Sequence, residues 1–403
     1  MSKLRFGRYD YGAFLTFFCY AACSLVVPIA LVQVASDLHF TLGEGGMGAG
    51  GALHMGRSIA LVAAIVICGF ASGRWGNCKS IGYSLVFMIA GMLLSAFSPT
   101  YAVLFLALLV AGFGEGIVEG LATPLVQDLH QEEPGRYINF SHGFWSVGVV
   151  VTVLAAGYLL LHGVSWRWLM VGIAVLTMVP MLILLLPSRK YELHPDRNNR
   201  QSWGEVCRNA GTILKMPYFW LFFAAMFLAG GGEFCLTFWL AAYVQEVYGQ
   251  TPMTGGIATA CFAGGMIFGR TGWGVLIRQQ HLGMLIIVSA FVGTVVTAVF
   301  PLFDTMWILY ILLVVAGVAA GPFWPSVQSY CVERIPQADT TMLFILLSCA
   351  GVPGCGVFTW LMGIFGDRFG LQVSIYLIPA CFLGLGFLIL GDYFYCRRRK
   401  ISA

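Results

Sequence analysis

The stretch Gly112-Phe-Gly-Glu115-Gly-Ile-Val-Glu119-Gly-Leu-Ala-Thr-Pro124-Leu-Val-Gln-Asp128 lies inside a long apolar run that begins near Tyr101. It nevertheless holds two glutamates, four glycines and a proline. If the run crosses a bilayer, an ionised carboxylate at that depth costs roughly 2.5–3.5 kcal/mol on the lenient insertion scale, so such acids mark function by default. Glu115 and Glu119 are four residues apart and share one helix face. The fold reading turns on whether the rest of the chain also reads as membrane helices.

It does. The 403 residues are 59% hydrophobic and only 10% charged, against about 25% charged in globular proteins, so lipid is the expected solvent. Apolar runs recur that are long enough for a hydrocarbon core of roughly 30 Å. Lipid-exposed backbone must satisfy its own hydrogen bonds, and strand-like alternation is absent, so an all-α membrane protein is expected. Twelve transmembrane helices fit at about 11–36, 46–73, 80–98, 101–129, 137–162 and 165–187, then 217–246, 252–277, 281–302, 305–333, 339–366 and 370–395. The N-terminus runs into the first span without a cleavage-site pattern, so no removable signal peptide is expected.

Placing the N-terminus in the cytoplasm puts 18 of the 22 Lys and Arg residues in inner loops and tails, as the positive-inside bias requires. Both termini are then cytoplasmic, and the plasma (inner) membrane is the expected location. The net charge of +4 gathers in short loops and is no nucleic-acid signal. Most of the twelve cysteines fall within spans and lack metal-ligand spacing, so they read as small hydrophobes. No metal or cofactor is expected, and a monomer in the lipid bilayer is.

The two halves repeat. Gly116, Gly120, Pro124, Val126 and Gln127 reappear as Gly317, Gly321, Pro325, Val327 and Gln328, all at an offset of 201; Gly148 and Gly157 match Gly354 and Gly363 at 206. The expected organisation is a six-helix bundle at 1–187, a cytoplasmic loop at 188–216 and a second bundle at 217–403. Parallel repeats of six spans, with a site at their interface near the midplane, are a transporter architecture.

With these features the sequence resembles the major facilitator superfamily of transporters. The loop Gly69-Phe-Ala-Ser-Gly73-Arg74-Trp-Gly76-Asn-Cys-Lys79 is similar to its signature between spans 2 and 3. Gly73 stands where the superfamily has Asp, and the basic pair after Gly76 is reduced to Lys79. A narrower resemblance is to the fucose/glucose–proton symporter family. Glu119-Gly-Leu-Ala-Thr123-Pro124 differs from that family's Glu-x-x-x-Asn-Pro only at Thr123. Asn139, His142, Phe144, Ser146 and Gly148 fit its span 5 pattern with His in place of Gln, and Phe323-Trp324-Pro325-Ser326 is similar to its span 10 segment. Pro28 stands where that family carries a span 1 acid. The resemblance implies proton symport of a sugar.

Glu119, with Glu115 as second choice, is the expected proton-coupling group, because burial disfavours the charged carboxylate and lets it hold a proton near neutral pH. Permanent neutralisation by a cation is the alternative, and Arg57 near mid-depth in span 2 is the expected partner or substrate ligand. His54 shares its face. Asn139, His142 and Ser146 form a polar stripe in span 5, although interhelix hydrogen bonding explains such a stripe equally well. Gly230-Gly-Gly-Glu233 is expected to loosen span 7 and bring Glu233 to a cavity. Trp145, Trp239, Trp324, Gln328 and Gln33 complete the candidate substrate-binding set, since pockets combine aromatic walls with a few polar groups.

The leading expectation is therefore a secondary transporter moving protons and a small polar solute, most simply a sugar, by alternating access. An organic-anion (carboxylate) carrier using Arg57 and Arg270 is the alternative; a transporter-like ligand sensor, a drug exporter and a membrane enzyme follow. No catalytic constellation supports an enzyme.

Overall fold

The computed structural model describes residues 5–130, 134–186, 203–277 and 279–401. Helices account for almost all of them: α1 (Arg8–Asp37), α2 (Met47–Trp75), α3 (Asn77–Ala96), α4 (Tyr101–Leu129), α5 (Pro134–Leu161) and α6 (Trp166–Leu185), then α7 (Trp203–Leu214). The second half holds α8 (Pro217–Glu246), α9 (Pro252–Leu276), α10 (Leu282–Val299), α11 (Met306–Ala320), α12 (Phe323–Arg334), α13 (Thr340–Phe369), α14 (Leu371–Ser374) and α15 (Leu377–Ile401). No strand occurs among the described residues. Eleven spans are long and apolar enough to cross a membrane, two of them being α11 with α12 and α14 with α15. The 25-residue α9 fills the twelfth place; its seven glycines and Arg270 keep it out of the most apolar set. Of the loop expected at 188–216, residues 188–202 lie outside the described ones, and 203–214 form the short α7.

Contacts divide the chain into two compact units, Met1–Phe40 with Gly56–Cys207 and Thr41–Met55 with Arg208–Ala403. In the first, α1 packs on α5 and α6, and α3 packs on α4 and α6. In the second, α8 packs on α13 and α15, α9 on α11, and α10 on α15. The sequence repeat is visible in this packing. A Cβ on Gly116 would strike the Leu61 carbonyl of α2, and one on Gly317 would strike the Phe262 carbonyl of α9. Both glycines and both carbonyls are related by the same shift of 201 residues. Likewise Gly148 meets the α1 backbone at Phe18, and Gly354 meets the α8 backbone at Phe227. The shared glycines are thus the points where helix backbones touch.

Span 10 runs over Met306–Arg334, and its backbone turns at Gly321 and Pro322 between α11 and α12. Pro322 and Pro325 each lack an amide donor, so two helical bonds, three residues apart, are missing there. Contrary to expectation, Gly230, Gly231 and Gly232 do not loosen span 7, and α8 is continuous through them. A Cβ on each would run into Gly351, Phe358 and Phe382 respectively, so tight packing on α13 and α15 holds the helix.

The first turn of α2 obtains its cap from another helix of the second unit. Asp367 of α13 accepts from the amides of Met47 and Gly48, each at 2.8 Å. Orphan amides at a helix start need such an acceptor. Asp367→Ala should lower stability by about 1 kcal/mol, and Asp367→Asn by less, because one acceptor oxygen remains. Thermal unfolding of the three proteins would check this; equal midpoints would show that the cap contributes nothing.

Candidate functional site

In the first unit the close approach of α2 and α4 fixes the site. Gly112 lies against the Arg57 backbone and Gly116 against that of Leu61, leaving space for no side chain at either glycine. This register brings Glu115 alongside Arg57. The guanidinium Nε donates to Glu115 Oε2 at 2.7 Å, and a second nitrogen lies 2.5 Å from the same oxygen. The remaining donors reach α1, to the Ser24 carbonyl at 3.1 Å and the Ser24 hydroxyl at 2.5 Å. The pair is dry: the Arg57 side chain is 4% exposed and that of Glu115 0%. Glu115 Oε1 is buried and accepts no hydrogen bond.

Glu119, expected as the partner of Arg57, is not the residue that pairs with it. It lies seven residues beyond Gly112, hence about 10 Å further along α4 at 1.5 Å per residue. Its side chain is half-buried. On the neighbouring α5, His142 Nε2 lies 2.8 Å from the Thr123 hydroxyl of α4, and its ring lies 4.7 Å from that of Phe17. Trp145 and Gln33 are half-buried, and Ser146 is buried. Asn139 belongs to α5, but its side chain lies outside the described ones.

In the second unit Glu233 is 7% exposed and its Oε1 accepts from Arg270 of α9 at 2.8 Å. The beginning of α2 belongs to this unit, and there His54 stacks on Phe234 with centroids 4.1 Å apart and planes 10° apart. Trp239 is fully buried and its indole donates to the Thr359 carbonyl at 3.0 Å, which makes it a bond between α8 and α13. Trp324 and Gln328 are half-buried on α12, with the Trp324 ring over Gly351. Ser24 was invisible to sequence reasoning, because one serine in an apolar helix carries no signal of its own. No group of three or more metal-ligating side chains occurs among the described residues.

Paired helices, repeated in sequence and in packing, around buried charges on spanning segments describe a carrier, and comparison with known proteins agrees. The family model of the Major Facilitator Superfamily matches residues 12–355. The chain belongs to that superfamily. It is accordingly an integral multi-pass membrane protein of a transporter family rather than an enzyme family, and such proteins carry small solutes across membranes.

Among solved structures, the nucleoside transporter NupG superposes with a TM-score of 0.74 at 16% identity, over 96% of this chain and 98% of that one. The xylose transporter XylE from E. coli gives 0.73 at 10% identity, over 95% and 97%. At such identities the likeness shows the fold. By sequence, an uncharacterized MFS-type transporter of Yersinia pestis is 28% identical over 219 residues, 51% of each chain. The Synaptic vesicle 2-related protein of Xenopus laevis is 29% identical over 146 residues, 34% of this chain and 26% of that one. The matched regions thus span between a quarter and a half of these relatives.

The signature segment runs from the end of α2 through Gly76 into the start of α3. Asn77 donates to the Asp128 carboxylate at the end of α4 at 2.9 Å and accepts from Ser72 at 2.5 Å. A neutral amide thus anchors this junction to α4.

Proposed function

We propose that the chain is a proton-coupled symporter of a small polar solute, a sugar before other classes, working by alternating access in the plasma (inner) membrane as a monomer with both termini cytoplasmic. The observation that carries this reading is the buried Glu115, bonded to Arg57 through one oxygen and open at the other. A proton placed on Oε1 leaves Arg57 facing a neutral acid. Its donors are then released more easily to solute hydroxyls, which ties solute binding to proton binding. Glu119, half-buried on the same helix, is the second proton-coupling candidate. His54, Asn139, His142, Trp145, Glu233, Trp324, Gln328 and Gln33 remain candidate solute contacts, and Trp239 is assigned to helix packing.

Two further observations support a neutral solute. NupG and XylE are described as carriers of nucleosides and xylose, both uncharged and rich in hydroxyls. A carboxylate carrier needs an uncompensated cation, whereas Arg57 and Arg270 each have a glutamate within hydrogen-bond distance.

Uptake of labelled D-xylose, L-fucose and uridine into proteoliposomes under an imposed pH gradient tests the proposal. At least one should accumulate in the wild type. Glu115→Gln should abolish accumulation driven by the gradient while retaining solute counterflow. Wild-type accumulation in both Glu115→Gln and Glu119→Gln would remove the proton role from span 4. Tight binding without counterflow would instead identify a sensor.

A further inference from the structure

The second buried carboxylate–guanidinium pair is not a copy of the first. Shifting Arg57 and Glu115 by the repeat offset of 201 reaches Ala258 and Ala316. Arg270 lies on α9, the repeat equivalent of α2, but at a position that does not match Arg57, and Glu233 lies on α8 rather than on α11, the equivalent of α4. Their surroundings differ as well. The Arg270 side chain is 23% exposed and that of Glu233 9%, against 4% and 0% for Arg57 and Glu115, so this pair is open where the first is sealed. A guanidinium open within a spanning helix faces a wet cavity rather than lipid. Arg270 Nε is fixed by the Gly321 carbonyl at 3.1 Å. Glu233 Oε2 is buried and has no hydrogen-bond partner.

The groups around Glu233 come from four segments of the second unit. From α9 comes Arg270, its ion-pair partner. From α13, the Cys355 thiol donates to the Gly230 carbonyl at 3.3 Å, and Phe358 lies against Gly231. From α15, Cys381 and Phe382 lie against Gly232. The His54 imidazole of segment 41–55 stacks on Phe234, the next residue along. Helix α12 meets α8 farther away, through the Tyr330–Phe222 ring contact.

We propose that Glu233 is a second proton-binding site of this transporter, so that two protons rather than one accompany each solute. This rests on the proton-coupled reading above. A fully sealed ion pair exchanges protons only when its helices part. A pair that reaches water at its guanidinium end exchanges without that step. The open Oε2 takes the proton without giving up the Arg270 bond on Oε1. Binding changes the pair from net zero to net +1, and release to water on the other side restores it, so one proton enters and one leaves per cycle. The remaining positive charge stays anchored on Gly321.

Infrared difference spectra between acid and neutral pH, recorded on the full chain in lipid, require no solute. The carboxylic-acid carbonyl band should lose one component in Glu233→Gln and a different one in Glu115→Gln. A Glu233→Gln spectrum superimposable on wild type overturns the proposal. Should that variant not fold, the double variant Glu233→Gln/Arg270→Gln removes the stranded cation and reads the same band. In proteoliposomes with no membrane potential, each coupled proton contributes about a factor of ten in accumulation per pH unit. For whichever of D-xylose, L-fucose or uridine is carried, the wild type should reach about a hundredfold per pH unit. About tenfold overturns the two-proton inference and leaves the proton-coupled reading intact. No accumulation of any of the three overturns that reading and the two-proton stoichiometry with it, and the infrared band then decides only whether Glu233 binds a proton.

Discussion

Arg57→Ala should be among the most destabilising single substitutions in the first unit, at roughly 3–5 kcal/mol, because it strands Glu115 in a dry site. The carboxylate has 0% exposure and its second oxygen already lacks a partner, so no neighbour stands ready to replace the guanidinium. The substitution also removes both bonds from Arg57 to Ser24, which join α2 to α1. Arg57→Lys should recover only part of the loss. An ammonium keeps the charge but lacks the planar fork that reaches Glu115 and Ser24 together. Arg57→Ala/Glu115→Gln should be more stable than Arg57→Ala alone, because the stranded charge is gone while the cavity remains. Denaturant unfolding in detergent closes this cycle. If the single and double variants unfold alike, Glu115 carries no buried charge in the folded protein, and the ion pair is the wrong description of the site.

That pair shows where the sequence informs and where it stops. The apolar runs and the scarcity of charge suffice for a helical membrane protein, because lipid admits few alternatives. The offset of 201 suffices for the repeat, and the glycines that carry it are where helix backbones meet. Which of two glutamates one turn apart faces Arg57 is a different kind of question. Its answer depends on how α2 and α4 slide along each other, and that register is set by Gly112 sitting on the Arg57 backbone. The glycines were legible; the partner across the interface was not. Gly230 to Gly232 mislead for the same reason. Glycine loosens an isolated helix, yet here it admits Gly351, Phe358 and Phe382 and so tightens the packing of α8. Trp239 and Ser24 likewise take their roles from neighbours far along the chain.

Gly116→Val and Gly317→Val should be similarly severe, because each puts a branched side chain where a helix backbone already lies. The obstacle to a Cβ is the Leu61 carbonyl in one unit and the Phe262 carbonyl in the other. A side chain in the way turns to another rotamer; a helical carbonyl does not, so the helices must separate. Overpacking of this kind costs typically 1–3 kcal/mol and occasionally more. Adjacent positions on α9 supply an internal control. A Cβ on Gly265 would meet the Val314 carbonyl, whereas one on Gly264 meets nothing within 4 Å. Gly265→Ala should therefore destabilise, and Gly264→Ala should be neutral or slightly stabilising, since alanine is the better helix former by about 1 kcal/mol. Thermal unfolding of the four variants separates packing from propensity: if Gly264→Ala and Gly265→Ala behave alike, backbone contact is not what these glycines provide. Gly116→Val has a further consequence, because prising α4 from α2 also draws Glu115 from Arg57. It should therefore lose gradient-driven accumulation together with stability. Gly317→Val, whose equivalent neighbour is Ala316 rather than a glutamate, should lose stability without that direct link to the proton.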